Sequence, residues 1–340
     1  MINIICIGDP HFKTDNIKEV ELFIERIETL IIEKNPDIVV CLGDLLHTHE
    51  RLHTIALNKA YEFLDKLRRI CLTYVLVGNH DATTNQIFLT ENHWMNGLKE
   101  WDNIIVVDKI KTYVKDGELF VFSPYVPPGR FIEALNTLNE YDWKEASCIF
   151  AHQEFFGCKM GAIVSSEGDK WSLSNPHVVS GHIHSRQIIQ ENIYYVGSAM
   201  QHAFGESEKN VIAYLSFSNK TYEREEIDLK LPRKKIIYMN VQEVNDYIIP
   251  ETEDKIKVTL SGVYEEFKSF KKTHKYKELT DSGIKVIFKP KKIELIQEEE
   301  KHEELINKGS ENFKQILHNL IILEKNKFLN EIYEKIILNN

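Results

Sequence analysis

"PDIVVCLGDLLH", residues 36–47, begins as an apolar run and ends in Gly-Asp and a histidine. Ile38 to Leu42 carry no polar interruption, which reads as a strand buried on both faces, the habit of a parallel sheet covered on each side. Gly43 lets the chain leave that strand sharply. Asp44 is then delivered at the strand's carboxyl end, where open α/β sheets bind ligands.

Working outward, INIICIG (2–8) and LTYVLVG (72–78) read as further strands. Between the three strands lie two helical patterns, Val20, Phe23, Ile24, Ile27, Leu30 and Ile31, then Ile55, Leu57, Ala60, Tyr61, Leu64 and Leu67. This β-α-β-α-β series predicts an α/β layered core. The later runs NIIVV (103–107), LFVFS (119–123), CIFAH (148–152), HVVSGH (177–182), IYYVGS (193–198) and VIAYLSF (211–217) suggest a second sheet packed on the first. Leu231-Pro232 reads as a boundary closing a unit over 1–231. A small α+β unit follows over 232–292, with strands at 236–241, 256–262 and 284–288 and a lysine-rich helix at about 263–277. Over 298–340 two helical stripes follow, one through Phe313, Ile316, Leu317, Leu320 and Ile321, the other through Phe328, Leu329, Ile332, Tyr333, Ile336 and Ile337. Each is wide enough to need a partner surface, on its own domain or on another chain.

The 340 residues exceed a typical single domain, and 43% hydrophobic with 28% charged residues is the balance of a globular enzyme. No apolar run approaches the roughly 18 residues of a membrane span. The start reads as a first strand, not a signal peptide. Five scattered cysteines (Cys6, Cys41, Cys71, Cys148, Cys158) fit buried thiols in a reducing cytoplasm. The net charge of −10 argues at first against a nucleic-acid partner. Within 232–292, however, lysine and arginine outnumber carboxylates, so an acidic body carries one basic segment able to grip a polyanion locally.

Five short motifs each follow an expected strand: GDPH (8–11), GD (43–44), GNHD (78–81), AHQE (151–154) and GHIH (181–184). They would converge on one rim and supply Asp9, His11, Asp44, Asn79, His80, His152, His182 and His184. Carboxylates, imidazoles and an amide oxygen together suit two divalent ions of the manganese, iron or zinc kind. Each motif alone is weak; the ordered set, each after a strand, is specific. It also speaks against a non-catalytic scaffold, which has no need of so complete a donor set.

Through these motifs residues 1–230 resemble the calcineurin-like metallophosphoesterase superfamily. The resemblance implies a two-sheet sandwich flanked by helices, followed by a small α+β capping domain and C-terminal helices. It implies that Asp9, His11 and His184 hold one metal, that Asn79, His152 and His182 hold a second, and that Asp44 bridges them. His80 is then free to act as general acid or to stabilise charge on the leaving oxygen. Asp81 either orients a neighbour or is a solvated loop acid.

Protein phosphatases of this superfamily carry an aspartate three residues after the bridging one. Here that position is His47. The sequence in this respect resembles the SbcD and meiotic-recombination-eleven type DNA repair nucleases, phage recombination endonucleases included, in which the histidine helps position the DNA phosphate. YYVGSAMQHAFGE (194–206) resembles the "GS…FGE" segment of the same group, though Gln201-His202 stand where an arginine is common, so His202 either replaces that contact or is a loop residue. The resemblance implies a manganese-dependent 3′–5′ double-strand exonuclease and single-strand endonuclease. It implies a homodimer, with helices near 51–70 and 85–98 as candidate interface elements, joined to an SMC-like coiled-coil ATPase of SbcC type in the cytoplasm of a bacterial or phage-infected cell. Lys268, Lys271, Lys272 and Lys275 would either track a phosphate backbone or form a solvated face. No Walker A sequence is present, so any use of ATP falls to the partner. The alternative is a small-molecule or nucleotide metallophosphodiesterase. His49 and His53 match no motif and are expected to be a loop residue and a helix start.

Overall fold

Two six-stranded sheets face one another in a computed structural model that describes residues 1–49, 51–207, 209–290, 313–324, 329 and 333. The first sheet runs β14 (Thr221–Ile227), β13 (Ile212–Ser218), β1 (Ile2–Ile7), β2 (Ile38–Cys41), β3 (Thr73–Leu76), β4 (Ile104–Val107). β1 to β4 are parallel and β13 pairs with β1 antiparallel. The second sheet runs β11 (Gln187–Gln190), β12 (Ile193–Tyr195), β10 (His177–Ser180), β7 (Cys148–Ala151), β6 (Glu118–Phe122), β5 (Lys111–Lys115). Its four central strands are parallel and both edges antiparallel.

The uninterrupted apolar runs conceal a strict alternation. Ile4 and Cys6, Ile38 and Val40, Tyr74 and Leu76 face the second sheet, where they meet Phe120, Phe122, Phe150 and Val179. Ile5 and Ile7, Val39 and Cys41, Val75 and Val77 face outward onto α1 (Ile17–Lys34) and α2 (Thr54–Ile70). Both sets are buried, so no polar residue is tolerated at either parity. Phe23 of α1 and Phe63 of α2 close on Phe12 at 6.2 and 5.6 Å between ring centroids. Each such ring contributes about 1.5–3 kcal/mol by leaving water. Leu119, Val121, Ile149 and Val178 form the outer layer of the second sheet with α3 (Phe131–Leu135). The five cysteines are free thiols, four of them buried.

Several expectations are corrected. NIIVV and VIAYLSF belong to the first sheet, as β4 and β13, because apolar content fixes burial but not pairing partner. Residues 85–93 form no helix; a 3-10 turn begins only at Trp94 (Trp94–Glu100), after Thr83 N and His93 N have already found loop carbonyls. A two-stranded hairpin, β8 (Lys159–Met160) and β9 (Ile163–Val164), completes this part of the chain.

Beyond Leu231 a parallel sheet forms from β15 (Lys234–Asn240), β16 (Lys255–Gly262) and β17 (Lys285–Pro290), with its own apolar cluster. The lysine-rich segment is two helices, α4 (Tyr264–Phe270) and α5 (His274–Asp281), not one. Thr273 breaks it: its hydroxyl accepts from the N–H of Tyr276 and starts a new helix there. Ile256, Val258 and Leu260 meet α4 and α5 through Phe267, Phe270 and Leu279, so Lys257 points to the opposite face, its ammonium 4.8 Å from the Phe204 ring. Lysines 268, 271, 272 and 275 therefore sit on the helix side, away from Phe204. α6 (Phe313–Leu323) covers the first C-terminal stripe. The second, apart from Leu329 and Tyr333, lies outside the described residues. Among the described residues no helix is long and apolar enough to cross a membrane.

Candidate metal centre

The loops that leave β1, β2, β3, β7 and β10 meet at one rim, and all seven expected ligands lie there. Asp9, His11, Asp44 and His182 hold left-handed backbone, at φ 37°, 44°, 52° and 78°. Non-glycine residues adopt that region at a cost of about 1–3 kcal/mol each, a cost that gathers at functional sites. The strain is over-determined by cross-links. His11 N donates to Asp44 O (3.0 Å), Phe12 N to Leu45 O (2.7 Å), and His182 N to Asp9 Oδ1 (2.8 Å). Gly78 is required by contact: a Cβ there would lie 2.2 Å from Asp44 Oδ1.

Two groups of lone pairs share Asp44. In one, ligand atoms of Asp9, His11 and Asp44 lie within 4.8 Å of one another, and His184 Nε2 is 3.0 Å from His11 Nε2. In the other, Asp44, His152 and His182 lie within the same limit. Asn79 Oδ1 joins them, 3.0 Å from His152 Nε2 and 2.8 Å from His182 Nδ1. The outer nitrogens are tied: His152 Nδ1 donates to Leu42 O (2.6 Å), and His184 Nδ1 faces Glu206 Oε1 (3.4 Å). Each tie leaves Nε2 directed at the centre. Asp9 Oδ2 is buried without a hydrogen-bond partner among the described residues. Buried polar atoms are rarely left so. An orphaned carboxylate oxygen amid converging imidazole nitrogens and an amide oxygen fits a pair of divalent cations.

Electrostatics agree with that fit at His11 and His182. Burial pushes Asp9 up to about 6. Burial opposes charge on Asp44 too, but His152 beside it holds its carboxyl well below the ordinary value. Burial opposes charge on His152 in turn, and Asp44 draws it up to about 9. Burial and then the charge of His152 take His182 down to about 3, and burial lowers His11 far below its usual value. His11 and His182 are thus held neutral, the form that binds metals.

Matches to known proteins follow the same residues. A family model described as calcineurin-like phosphoesterase matches residues 2–186, which contain every one of these side chains except Glu206. The chain belongs to that family. It is 51% identical over 295 residues, 85% of each chain, to "Putative phosphoesterase 078R" of Invertebrate iridescent virus 3. It is 49% identical over 281 residues to its namesake 244L of Invertebrate iridescent virus 6, covering 79% of this chain and 97% of the relative. Among solved structures it is similar to GAP50, the anchor in the inner membrane complex of Plasmodium, at 16% identity and a TM-score of 0.44, covering 67% of this chain and 85% of that one. The last likeness carries no argument about function. Family membership makes this phosphoesterase a metal-dependent hydrolase of phosphate esters.

The remaining site residues take more definite places than the sequence assigns them. His80 is fixed at both ends: its N–H donates to Asp44 Oδ1 (2.8 Å) and its Nδ1 donates to the carbonyl of His47 (2.7 Å). His47 is exposed, its ring 5.3 Å from that of His11. His11, His47 and His80 also form a third group within ligand reach of one another. His49 lies in the loop, where its ring stacks on His80 at 4.3 Å. His53 merely precedes α2 and makes no capping bond. Asp81 is not solvated. It is buried and accepts from the N–H groups of Gly78, Leu45 and Leu46 and from the Trp94 indole, which locks the loops after β2 and β3 together. His202 is buried with Nε2 2.7 Å from the carbonyl of Asp9. Glu206 accepts from the N–H groups of His202 and Ala203, both at 2.8 Å. The bond to His184 brings it down to about 2, against the upward push of burial. Only the "FGE" pattern pointed to this residue, and it gave no role.

Proposed function

We propose that this phosphoesterase is a DNA nuclease, manganese-dependent and working on duplex ends and single strands as one subunit of a complex with an SMC-like coiled-coil ATPase. The observation that carries the reading is the attachment of the basic third sheet to the site's own rim. Lys234 N donates to Gln201 Oε1 (2.6 Å), the Lys234 ammonium reaches Gln201 O and Glu19, and Lys257 covers Phe204. The loop so gripped is the one that carries His202 and Glu206. A lysine-bearing sheet beside a phosphoesterase centre suits a substrate with more phosphates than the one being cleaved.

Asp9, His11 and His184 would hold one divalent ion and Asn79, His152 and His182 the other, with Asp44 shared. Such a pair, when bound, activates water and neutralises the phosphoryl oxygens. The chain's own residues do the rest. Leu42 O and Glu206 fix the rings of His152 and His184. The His47 carbonyl holds His80 Nδ1, so that Nε2 of the protonated ring can give its proton to the departing oxygen. The exposed His47 ring lies beside that path and would steady the phosphate.

The test is cleavage of end-labelled duplex and of circular single-stranded DNA with manganese or magnesium, with and without an SbcC-type ATPase and ATP. Manganese-dependent cutting is expected. Hydrolysis of simple diesters with no DNA cleavage would leave a small-molecule or nucleotide phosphodiesterase, the reading favoured by the net charge of −10. Removing residues 298–340 tests the partner: loss of ATPase binding with retained cleavage is expected.

A further inference from the structure

Next to the centre, beyond His80, lies a groove of about 620 Å³ that the hydrolytic machinery does not use. It is reached through a row of rings, the first contact edge-on and the second stacked. His11 and His80 are 4.9 Å apart between centroids, His80 and His49 are 4.3 Å apart, and His49 lines the groove. Leu52 and Trp94 supply apolar wall, and Thr83, Asn92 and Asn96 supply polar edge. Trp94 is held rigidly, its indole N–H committed to Asp81 at 2.9 Å. The Thr83 hydroxyl and the Asn92 amide have no hydrogen-bond partner among the described residues, and both residues are exposed.

The lining contains no lysine or arginine, and the Asp81 carboxylate is fully engaged by the protein. A phosphate would find no cation here. The lining suits a flat, uncharged ring with donors and acceptors along one edge: an aromatic wall to lie against, and amide and hydroxyl groups to read the edge. The volume falls within the usual range for small-molecule sites. We infer that this groove seats a nucleobase of the substrate, on the leaving-group side of the cleaved phosphate, and so makes the centre selective for nucleotide diesters. The inference rests on the nuclease reading and specifies its substrate contact. His49 is then the bridge between proton donor and base.

The experiment compares a deoxydinucleotide with the two forms in which one or the other sugar lacks its base. Substrates are cleaved by the manganese-loaded full chain and by Leu52→Ala/Asn92→Ala, whose two sites are exposed and touch none of the proposed ligands. Removing the base of the leaving nucleoside is expected to raise KM about tenfold with kcat unchanged, removing the other base is expected to leave KM within about threefold, and the double variant is expected to shrink the tenfold difference to within about threefold. Equal KM for all three substrates in the native chain overturns the inference. So does a double variant that keeps the full base dependence, or a centre that hydrolyses bis(4-nitrophenyl) phosphate but binds no dinucleotide. Calorimetry with the uncleavable methylphosphonate dinucleotides makes the same comparison without turnover. Base-dependent binding that the double variant loses, with no DNA cleaved, keeps the groove and removes the nuclease reading.

Discussion

The imidazole of His80 is hydrogen-bonded to His47 through the main chain of the latter, Nδ1 to carbonyl oxygen at 2.7 Å, while the two rings lie parallel, 5.8 Å apart between centroids, with no hydrogen bond between them. The two histidines can therefore be separated by mutation. His47→Ser removes an exposed ring and leaves the carbonyl that positions His80. Exonuclease activity is expected to fall more than endonuclease activity, because duplex ends need the phosphate steadied while the proton donor is untouched. Equal loss of both activities would make His47 a general site residue.

His80→Asn removes the proton donor itself. The rate is expected to drop by about 10²–10⁴-fold on every diester, with bound metal unchanged by elemental analysis. A variant that retains the native rate would place the general acid elsewhere.

Glu206→Gln tests orientation of His184. The amide can still face Nδ1, but the charge that favours the ring's N–H on that side is gone. Metal affinity is expected to fall about 10–100-fold. Excess manganese should restore most of the activity, and calorimetric titration should show one weakened site and one normal site. Weakening of both sites equally would point to collapse of the loop 202–206.

Gly78→Ala places a methyl group 2.2 Å from Asp44 Oδ1 and 2.4 Å from Asp44 N. Neither neighbour is the free end of a flexible side chain, so Asp44 must move. Loss of metal binding and of activity together is expected, with a fall in Tm of several degrees in the metal-free protein, measured by circular dichroism. Native metal affinity would show that the loops can separate without cost.

The parts of this molecule legible in its sequence are those whose cause is local. Ile38 to Leu42 had to be a doubly buried strand because no polar residue could sit at either parity, and Asp44 had to emerge at its end. The metal-binding pattern was legible for the same reason, each donor lying within four residues of a strand's carboxyl end. What was hidden depends on contacts across the chain. His202 reads either as a stand-in for the arginine contact or as a loop residue until its ring is seen 2.7 Å from the carbonyl of Asp9, 193 positions away. Asp81 reads equally as an orienting residue and as a solvated loop acid until the loops after β2 and β3 and the Trp94 indole are seen to close on it. The placement of β4 and β13 in the first sheet follows from pairing with β3 and β1, which apolar content does not specify. The break at Thr273 was available in principle, as a hydroxyl able to cap, but the lysine spacing masked it.

Asp108 offers a test of stability away from the centre. It is buried, accepts from the Lys99 ammonium at 2.5 Å and lies 3.4 Å from His93 Nε2. Burial alone would raise its pKa, but the bonds to His93 and Lys99 outweigh it and hold the carboxyl well below the ordinary 3.8. Because the folded value is depressed, the native state binds this proton less readily than the unfolded chain. The stabilisation is then complete above the ordinary aspartate value and is lost as pH falls below it towards the folded value. Asp108→Asn is expected to cost about 1–3 kcal/mol at neutral pH, the worth of charged hydrogen bonds. The variant should also show a shallower decline in stability below pH 4. Urea unfolding of the metal-free protein at pH 7 and at pH 3.5 measures both. Parallel curves, with the same difference at each pH, would mean that the carboxylate's charge plays no part and that only the shape of the side chain matters.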